Sequence, residues 1–213
     1  YGMMLWGNLN YNYNEATMGY TSDLSWASYK QRGWQKPHLV SYMESHDEER
    51  LMYKNLQYGN SSVGYNIKEL NTALDRIKLA GAFFFTIPGP KMIWQFGELG
   101  YDYSINYPTG TSASRTDKKP IKWDYYSVTN RQKTYKVFKS LIDLKKNYDA
   151  FRTNDFSIAL NGQLKRIHLN HSSMNVTIIG NFDVAQQNIT PSFQNTGTWY
   201  NYFKNDSIVV TDV

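Results

Sequence analysis

The sequence predicts an α/β region followed by an all-β region, and three observations carry this prediction. Up to about residue 150, short apolar runs alternate with segments of helical periodicity, the order that produces a parallel sheet covered by helices. Beyond that point, short runs of alternating polarity are separated by turn residues, which is typical of antiparallel strands. The change falls within residues 149–154. We therefore expect two domains, residues 1–150 and 151–213.

Three strands and three helices are predicted in the first region. The strands are residues 2–6, 39–43 and 91–96, and the helices are residues 21–32, 66–82 and 131–147. In the second helix Leu70, Leu74 and Ile77 recur at helical spacing, so one face is expected to be buried. The first helix could be capped at its N-terminus by Thr21-Ser22-Asp23 and terminated by Gly33.

Five short strands are predicted in the second region. They cover residues 156–160, 164–169, 174–181, 198–203 and 207–211. Asn161-Gly162, between the first two, is a strong signal for a tight hairpin turn. This tail is expected to fold as a small antiparallel β-sandwich, complete or truncated, appended to the α/β region.

The composition is that of a globular protein and excludes several functions. The chain has no run approaching the roughly 18 apolar residues of a membrane helix, and it has no cysteine, which excludes disulfides and thiolate metal sites. The net charge of +5 invites a nucleic-acid role, but the basic residues are dispersed, so no nucleic acid is expected as a partner. The 18 tyrosines and 6 tryptophans suit either stacking on sugar rings or packing in β-sheets.

The most informative segment is MESHDEER, residues 43–50, which follows the second predicted strand. His46 and Asp47 are adjacent there, and three further charged residues follow them. Without context, such a group is more often a helix cap or solvated surface than a site. The position directly after a strand favours a site, because enzymes built on parallel strands place their chemistry at the strand ends. The other carboxylates are expected to be ordinary rim charges: Glu44, Glu48 and Glu49.

Two blocks of the sequence resemble signature motifs of the α-amylase family of glycoside hydrolases. YMESHD, residues 42–47, resembles the Phe-x-x-Asn-His-Asp motif that ends the seventh strand of that family's barrel, with Ser45 at the asparagine position. GELG, residues 97–100, follows the third predicted strand and resembles the Gly-x-Glu-x-Gly motif that ends the eighth. A helix and a β-rich tail then follow in the family's order, so the resemblance covers essentially the whole chain.

This resemblance implies a fold and an activity. The chain would contain strands six to eight of a TIM (β/α)8 barrel, followed by the C-terminal antiparallel β-sandwich. The family includes enzymes that carry out retaining hydrolysis of α-1,4-glucosidic bonds in starch-like α-glucans. The family's nucleophilic aspartate and general-acid glutamate follow its fourth and fifth strands, and neither motif occurs in the sequence. Both are expected upstream of Tyr1, so the chain is expected to be inactive alone.

The resemblance also assigns roles to individual residues. Asp47 corresponds to the third carboxylate of the family, which stabilises the transition state, and His46 to a residue that binds sugar hydroxyls. Arg50 would bind substrate or orient the carboxylates beside it. Trp6 and Asn8, at the end of the first strand, would line the substrate groove.

The loop after the third predicted strand is rich in tyrosine. Tyr101 and Tyr103 would either stack on glucose units or pack within the loop, and the sequence favours neither. No cofactor is expected in this chain, and the four histidines lack metal-ligand spacing, so no metal site is predicted. The resemblance nevertheless leaves calcium open for the full-length enzyme.

The expected partner is an α-glucan or maltooligosaccharide substrate. Two alternatives stay open, a non-catalytic carbohydrate-binding or structural module and an α-glucan transglycosylase or branching enzyme. Strands six to eight alone would leave unpaired sheet edges, so the isolated chain is expected to self-associate. The sequence leaves the compartment unknown, and only the family resemblance favours a secreted, periplasmic or cell-surface location.

Overall fold

The computed structural model describes residues 2–213. The helices are α1 (Asn10–Met18), α2 (Leu51–Tyr58), α3 (Leu70–Phe85) and α4 (Thr129–Asn147). The strands of the first region are β1 (Leu5–Asn8), β2 (Leu39–Tyr42), β3 (Ser61–Ser62), β4 (Tyr65–Asn66) and β5 (Lys91–Met92). Those of the second region are β6 (Phe156–Ala159), β7 (Leu164–Leu169), β8 (Val176–Asn181), β9 (Gly197–Tyr200) and β10 (Ser207–Val210). None of these helices combines the length and the apolar character that a membrane crossing requires.

β1, β2 and β5 form a three-stranded parallel sheet in that order. The register pairs Asn8 with Tyr42 and Tyr42 with Met92. Because parallel strands all end at one edge of their sheet, the segments that follow the three strands emerge side by side. Segment 43–50 therefore lies at the centre of that edge.

The main hydrophobic core includes residues of this sheet and of the helices that pack against it. α3 contributes three consecutive buried phenylalanines, Phe83, Phe84 and Phe85. Phe85 packs edge-on against Phe138 of α4, with 5.2 Å between ring centroids, and Phe84 packs edge-on against Tyr13 of α1 at 5.7 Å. Strands and helices thus alternate along the chain and share one core, as the sequence predicts.

The second region forms antiparallel sheets. β6, β7 and β8 make a three-stranded sheet, and β9 and β10 make a separate two-stranded one. All five strands overlap the segments predicted from sequence, and Gly162 has a φ of 83°, the left-handed conformation that favours glycine in a hairpin turn. The two sheets share no strand within residues 2–213, and their packing face to face as a β-sandwich stays a prediction.

The second region packs directly on the first. Phe182, which follows β8, contacts Phe83 of α3 with 5.3 Å between ring centroids. Arg76 of α3 donates to the carbonyl of Phe182 at 2.5 Å. Lys165 of β7 donates to the carbonyl of Ser22, which lies in the first region, at 2.7 Å. One hydrophobic core includes residues from both regions, and the domain boundary near residue 150 stays a prediction.

The predicted helix over residues 21–32 is wrong. Two short 3-10 turns, Ser25–Ala27 and Lys30–Arg32, take its place. Asp23 Oδ1 accepts the N–H of Ser25 at 2.8 Å, which forms a local turn instead of capping an α-helix. The sequence prediction also missed α1, because its asparagine-rich sequence carries no clear apolar periodicity.

The third strand of the parallel sheet is shorter than predicted. A strand over residues 91–96 was expected, but β5 ends at Met92. Phe96 has a φ of 58°, a left-handed conformation that no extended strand contains. The second half of the predicted strand therefore belongs to the loop above the sheet edge, where Trp94 lies against His46.

Candidate active site

His46 and Asp47 lie together at the exit of β2. His46 Nε2 is 3.2 Å from Asp47 Oδ2, and the two side chains are 60% and 66% exposed. The imidazole also packs against Trp94, with 5.8 Å between ring centroids. The structure therefore places the pair at the strand end where the sequence predicts it, with both side chains open to a ligand. The catalytic and binding roles of the pair stay predictions.

A hydrogen-bond network fixes the backbone beneath this pair. Asn8 Nδ2 donates to Glu48 Oε1 at 2.6 Å, and the Ser45 hydroxyl donates to the other oxygen of Glu48. Ser45 Oγ also accepts the N–H of Asp47 at 3.2 Å. Ser45, the residue that stands at the asparagine position of the family motif, thus joins the Asp47 backbone to Glu48. Asn8 lies at this strand exit with its amide engaged by Glu48, and its place in a substrate groove stays a prediction.

Arg50 lies beneath the exposed pair, where its burial excludes contact with substrate; its other predicted role, orienting the carboxylates beside it, stays a prediction. The side chain is buried, and Nη1 donates to the carbonyl of Ser45 at 2.9 Å. The guanidinium lies 5.9 Å from the centroid of Trp94 and 5.6 Å from that of Tyr101. Enclosed in this way, Arg50 supports the segment that carries Asp47 instead of reaching a ligand.

Glu44 has a structural role that the sequence interpretation missed. It is buried, and Oε1 accepts the N–H of Leu51 at the start of α2 at 2.7 Å. Burial raises the pKa of Glu44 to about 7, and the nearby Arg50 partly opposes that increase. A Cβ at Gly97 would lie 2.5 Å from Glu44 Oε2, so the glycine gives the carboxylate its space. The expectation of an ordinary rim charge is wrong for Glu44.

Glu49 connects the segment after β2 to the loop after β5. Its Oε1 accepts the N–H of Ile105 at 2.8 Å, and its Oε2 accepts the hydroxyl of Ser104 at 2.7 Å. Oε1 also accepts the N–H of Arg50 at 2.9 Å. With both oxygens engaged, Glu49 holds two loops together and is not a free charge at the rim.

The tyrosines of the loop after β5 mostly pack on one another. Tyr101 is fully buried, and its hydroxyl donates to the carbonyl of Pro120 at 2.6 Å, so stacking on glucose is excluded and the other alternative, packing within the loop, holds. Its ring lies 5.5 Å from that of Tyr103, which in turn packs edge-on against Tyr107 at 4.9 Å. Tyr103 and Tyr107 keep part of their surface exposed, and sugar binding by Tyr103 stays a prediction.

Trp6 is an exposed aromatic residue of β1, the strand that pairs with β2. It is 60% exposed and packs edge-on against Tyr42 of β2, with 5.4 Å between ring centroids. Burial and the neighbouring Glu48 and Asp47 raise the pKa of Tyr42. Side chains two residues apart on a strand share a face, so Trp6 and Asn8 point to the same side of the sheet. Asn8 thus lies at the strand exit, and Trp6 lies on the same face two residues before it, so its contact with substrate stays a prediction.

Arg115 is a further residue that the sequence interpretation missed. Its guanidinium donates to the carbonyl of Asp47, although 68 positions separate the two residues. Nothing in the local sequence marks this contact, because it depends on the path of the long loop between β5 and α4. Arg115 thereby ties this loop to the backbone of the exposed Asp47.

A metal site is not evident near these residues. Across residues 2–213, no group of three or more histidine, aspartate or glutamate side chains converges so as to hold a metal ion. Calcium binding by a longer protein stays a prediction.

Comparison with solved structures identifies the fold. No protein-family model and no curated protein matches the sequence. An α-amylase from Anoxybacillus aligns with 95% of this chain and 41% of its own, with 13% identity and a TM-score of 0.66. An α-amylase from Geobacillus thermoleovorans, complexed with acarbose, aligns with 94% of this chain and 42% of its own, with 14% identity and a TM-score of 0.65. A cyclic α-maltosyl-(1→6)-maltose hydrolase from Arthrobacter globiformis aligns with 81% of this chain and 36% of its own, with 14% identity and a TM-score of 0.52.

These likenesses concern one part of each larger protein. The chain spans about two-fifths of the length of the two α-amylases, while almost all of its own length aligns with them. The resemblance inferred from residues 42–47 and 97–100 is thereby confirmed at the level of the fold. This chain has the fold of a section of the α-amylase-family glycoside hydrolases.

Proposed function

We propose that the chain is part of an α-amylase-family enzyme that hydrolyses α-1,4-glucosidic bonds in starch-like α-glucans with retention. The observation that carries the proposal is the exposed His46–Asp47 pair, 3.2 Å apart, at the exit of the central strand of the parallel sheet. Solved structures with this fold include proteins in complex with acarbose, maltotriose and maltose. Those complexes support a maltooligosaccharide as the ligand here.

Asp47 would act by stabilising charge in the transition state. Retaining hydrolysis proceeds through an oxocarbenium-like state, in which the sugar ring flattens and becomes positive. The exposed carboxylate of Asp47 would accept hydrogen bonds from hydroxyls of that ring, and these bonds strengthen as positive charge develops. His46 would donate to the same hydroxyls and hold the ring beside Trp94.

The nucleophile and the general acid would come from outside residues 1–213. Retaining enzymes need two carboxylates about 5 Å apart across the scissile bond. Three glutamates lie near Asp47 in the sequence, and none is free. Glu48 accepts hydrogen bonds from Asn8 and Ser45, and Glu49 accepts them from Ile105 and Ser104. Glu44 is buried. Because these three glutamates already serve the loops, we infer that the isolated chain is inactive.

The test is an activity assay of a polypeptide that also carries the preceding barrel strands. We expect reducing-sugar release from maltooligosaccharides by the long form only, and a loss of at least about 100-fold in kcat for Asp47→Asn. Asp149→Asn is the matched control, because Asp149 is 67% exposed and lies far along the chain, after α4. Turnover by the isolated 213-residue chain, or full activity of Asp47→Asn, would contradict the proposal.

A non-catalytic carbohydrate-binding module is the second candidate, favoured by the exposed aromatic ring of Trp6. It predicts saturable binding of maltotriose and no hydrolysis in either form. A transglycosylase or branching enzyme would instead transfer the glucosyl unit to a sugar hydroxyl. Product analysis of the long form distinguishes transfer from hydrolysis.

We also infer that the isolated chain associates through β1. Within residues 2–213, β2 is the only strand paired with β1, and four consecutive apolar residues are exposed there: Met3, Met4, Leu5 and Trp6. An apolar unpaired strand recruits another strand. Light scattering should give a mass that rises with concentration and falls to the monomer value for Leu5→Lys, but not for the exposed control Ile121→Lys. A monomeric wild-type chain at all concentrations would contradict this inference.

A further inference from the structure

One buried side chain holds both ends of the loop that follows β2. We call this loop, residues 43–49, the exit loop. Asn10, the first residue of α1, is buried, and its Nδ2 donates to the carbonyl of Met43 at 2.8 Å and to that of Glu49 at 2.8 Å. The first and last residues of the exit loop therefore meet at a single nitrogen, with His46 midway between them.

A second asparagine fixes the direction of the Asn10 amide. Asn14 Nδ2 donates to Asn10 Oδ1 at 2.7 Å, from the next turn of the same helix. An amide oxygen only accepts, whereas its nitrogen donates two hydrogen bonds. The contact with Asn14 therefore keeps the oxygen turned toward α1 and leaves both hydrogens for the two carbonyls of the exit loop.

The end of β1 brings Asn10 to this position. The N–H of Leu9 donates to the carbonyl of Tyr42 at 3.1 Å, which extends the pairing of β1 with β2 by one residue. The N–H of Asn10 then donates to Asn8 Oδ1 at 2.9 Å, a local turn of the kind that asparagine favours. Because Asn8 Nδ2 also donates to Glu48 Oε1 at 2.6 Å, the turn between β1 and α1 contacts the exit loop at three points.

These contacts differ from the others that the exit loop makes. The bonds of Ser45 to Glu48 and to the N–H of Asp47 are internal to the loop, so they fix its shape and not its place above the sheet. The loop after β5 also holds it, at Glu49 and Asp47, but that connection contains only short 3-10 turns before α4. Asn10 instead holds the exit loop to the end of a strand of the parallel sheet itself.

The position of Asp47 depends on the backbone of the exit loop. His46 and Asp47 are mostly exposed and contact each other, so their own side chains add little that fixes them. A group that stabilises a transition state must be placed closely, and a displacement of about 1 Å can cost about 100-fold in rate. A contact that holds both ends of the loop is therefore expected to matter for turnover.

We propose that Asn10 is a positioning residue, which clamps both ends of the exit loop and thereby holds Asp47 in the place where it meets substrate. Asn10 is buried, so it acts through the loop and not on the substrate. The effect on turnover rests on the proposed function, whereas the clamp itself rests on the contacts of the Asn10 amide.

The first test is amide hydrogen exchange of the 213-residue chain at low concentration, followed by mass spectrometry. It compares a peptide over residues 43–51 with a peptide over residues 74–84 of α3. Asn10→Ala should speed exchange in the first peptide by at least about tenfold more than in the second, because the loop opens locally. Asn14→Ala should act in the same direction with a smaller effect, since it removes only the group that orients the Asn10 amide.

Asn12→Ala is the matched control. Asn12 lies on the same helix, and its Nδ2 donates to a carbonyl away from the exit loop, that of Asp23, at 2.8 Å. Its replacement should leave the ratio of exchange rates in the two peptides unchanged.

The second test measures turnover of maltooligosaccharides by the long form. Asn10→Ala should lower kcat by at least about tenfold and leave KM within about threefold, because the interactions that weaken are those made in the transition state. Asn12→Ala should leave both constants unchanged.

The outcomes separate the clamp from the proposed function. Equal acceleration of exchange in both peptides would overturn the clamp, because Asn10 would then only stabilise the fold. Selective exchange with an unchanged kcat would overturn the positioning role. Selective exchange in a protein whose long wild-type form does not hydrolyse glucan would support the clamp and contradict the proposed function. If Asn10→Ala does not fold, Asn14→Ala decides by the same criteria.

Discussion

Charged side chains are used in opposite ways in two regions of this protein. Where the second region packs on the first, Arg76 and Lys165 are buried and their donors point at backbone carbonyls. At the exit of β2, His46 and Asp47 are mostly exposed and contact mainly each other. A buried charge must be satisfied by the protein, whereas an exposed one is free to be satisfied by a ligand. The first arrangement stabilises the fold, and the second is suited to recognition.

The largest effect is expected from Arg76→Met. The Arg76 guanidinium donates to the carbonyls of Thr17 at 3.0 Å, Ala16 at 2.7 Å and Phe182 at 2.5 Å, so it joins α1, α3 and the end of β8. Its loss would leave the carbonyls of Thr17 and Phe182 without this donor, while Ala16 O would keep the N–H of Gly19. We expect the free energy of unfolding to fall by about 3–5 kcal/mol, measured by urea denaturation.

Arg152→Met is the control for that change. Arg152 is 57% exposed and pairs with an exposed aspartate, so its replacement should alter stability by less than about 0.5 kcal/mol. Equal effects of the two substitutions would mean that the contact between the regions contributes little to stability.

Glu44→Gln should change the dependence of stability on pH. Burial raises the pKa of Glu44 to about 7 from 4.5, so between these values the folded state holds a proton that the unfolded state has lost. Wild-type stability should therefore fall as pH rises from about 4.5 to 7, by up to about 3 kcal/mol, and should stay level above that range. Glutamine keeps an acceptor for the N–H of Leu51 and removes the titration.

Urea denaturation at pH 5 and pH 7.5 measures this difference. Glu44→Gln should gain stability relative to wild type at the higher pH, whereas Glu69→Gln, which changes an exposed carboxylate, should follow the wild-type slope. Parallel slopes for wild type and Glu44→Gln would show that Glu44 does not titrate in this range. Burial would then not perturb the ionisation of Glu44, and it would behave in that respect like the exposed carboxylates of the site.

The sequence predicted the strand exits better than it predicted the interior charges. His46 and Asp47 belong to a motif that is local in sequence, so the residues around them were enough to predict their position. Arg50 and Tyr101 could not be placed as buried, because their burial depends on the loop after β5 folding back over the segment after β2. α1 was missed for a related reason. Its asparagines are held by tertiary contacts, such as that of Asn10 Nδ2 with the carbonyl of Met43 at 2.8 Å, which no periodicity records.

Lys165→Met is expected to destabilise less than Arg76→Met. Lys165 Nζ donates to the carbonyls of Ser22 at 2.7 Å, Leu160 at 2.8 Å and Gly162 at 2.6 Å. Two of these acceptors keep another donor, since Ser22 O also accepts from Gly162 N and Leu160 O from Leu24 N. We therefore expect a loss of about 2 kcal/mol in urea denaturation. A loss as large as that for Arg76→Met would mean that the ammonium itself, and not its acceptors, dominates the contact.

The smallest effect on stability, and the sharpest contrast, is expected from Trp6→Ala. Trp6 is 60% exposed and contacts Tyr42 at its edge, so its removal should change the free energy of unfolding by no more than about 0.5 kcal/mol. If the exposed ring stacks on a sugar, maltotriose affinity at the strand exit should fall by roughly 5- to 10-fold, or about 1–1.4 kcal/mol. Trp26→Ala, at an exposed tryptophan outside the site, should leave that affinity unchanged. A Trp6→Ala variant that loses stability and keeps its affinity would assign Trp6 a structural role. Exposure alone would then not distinguish the groups that recognise a ligand from those that stabilise the fold.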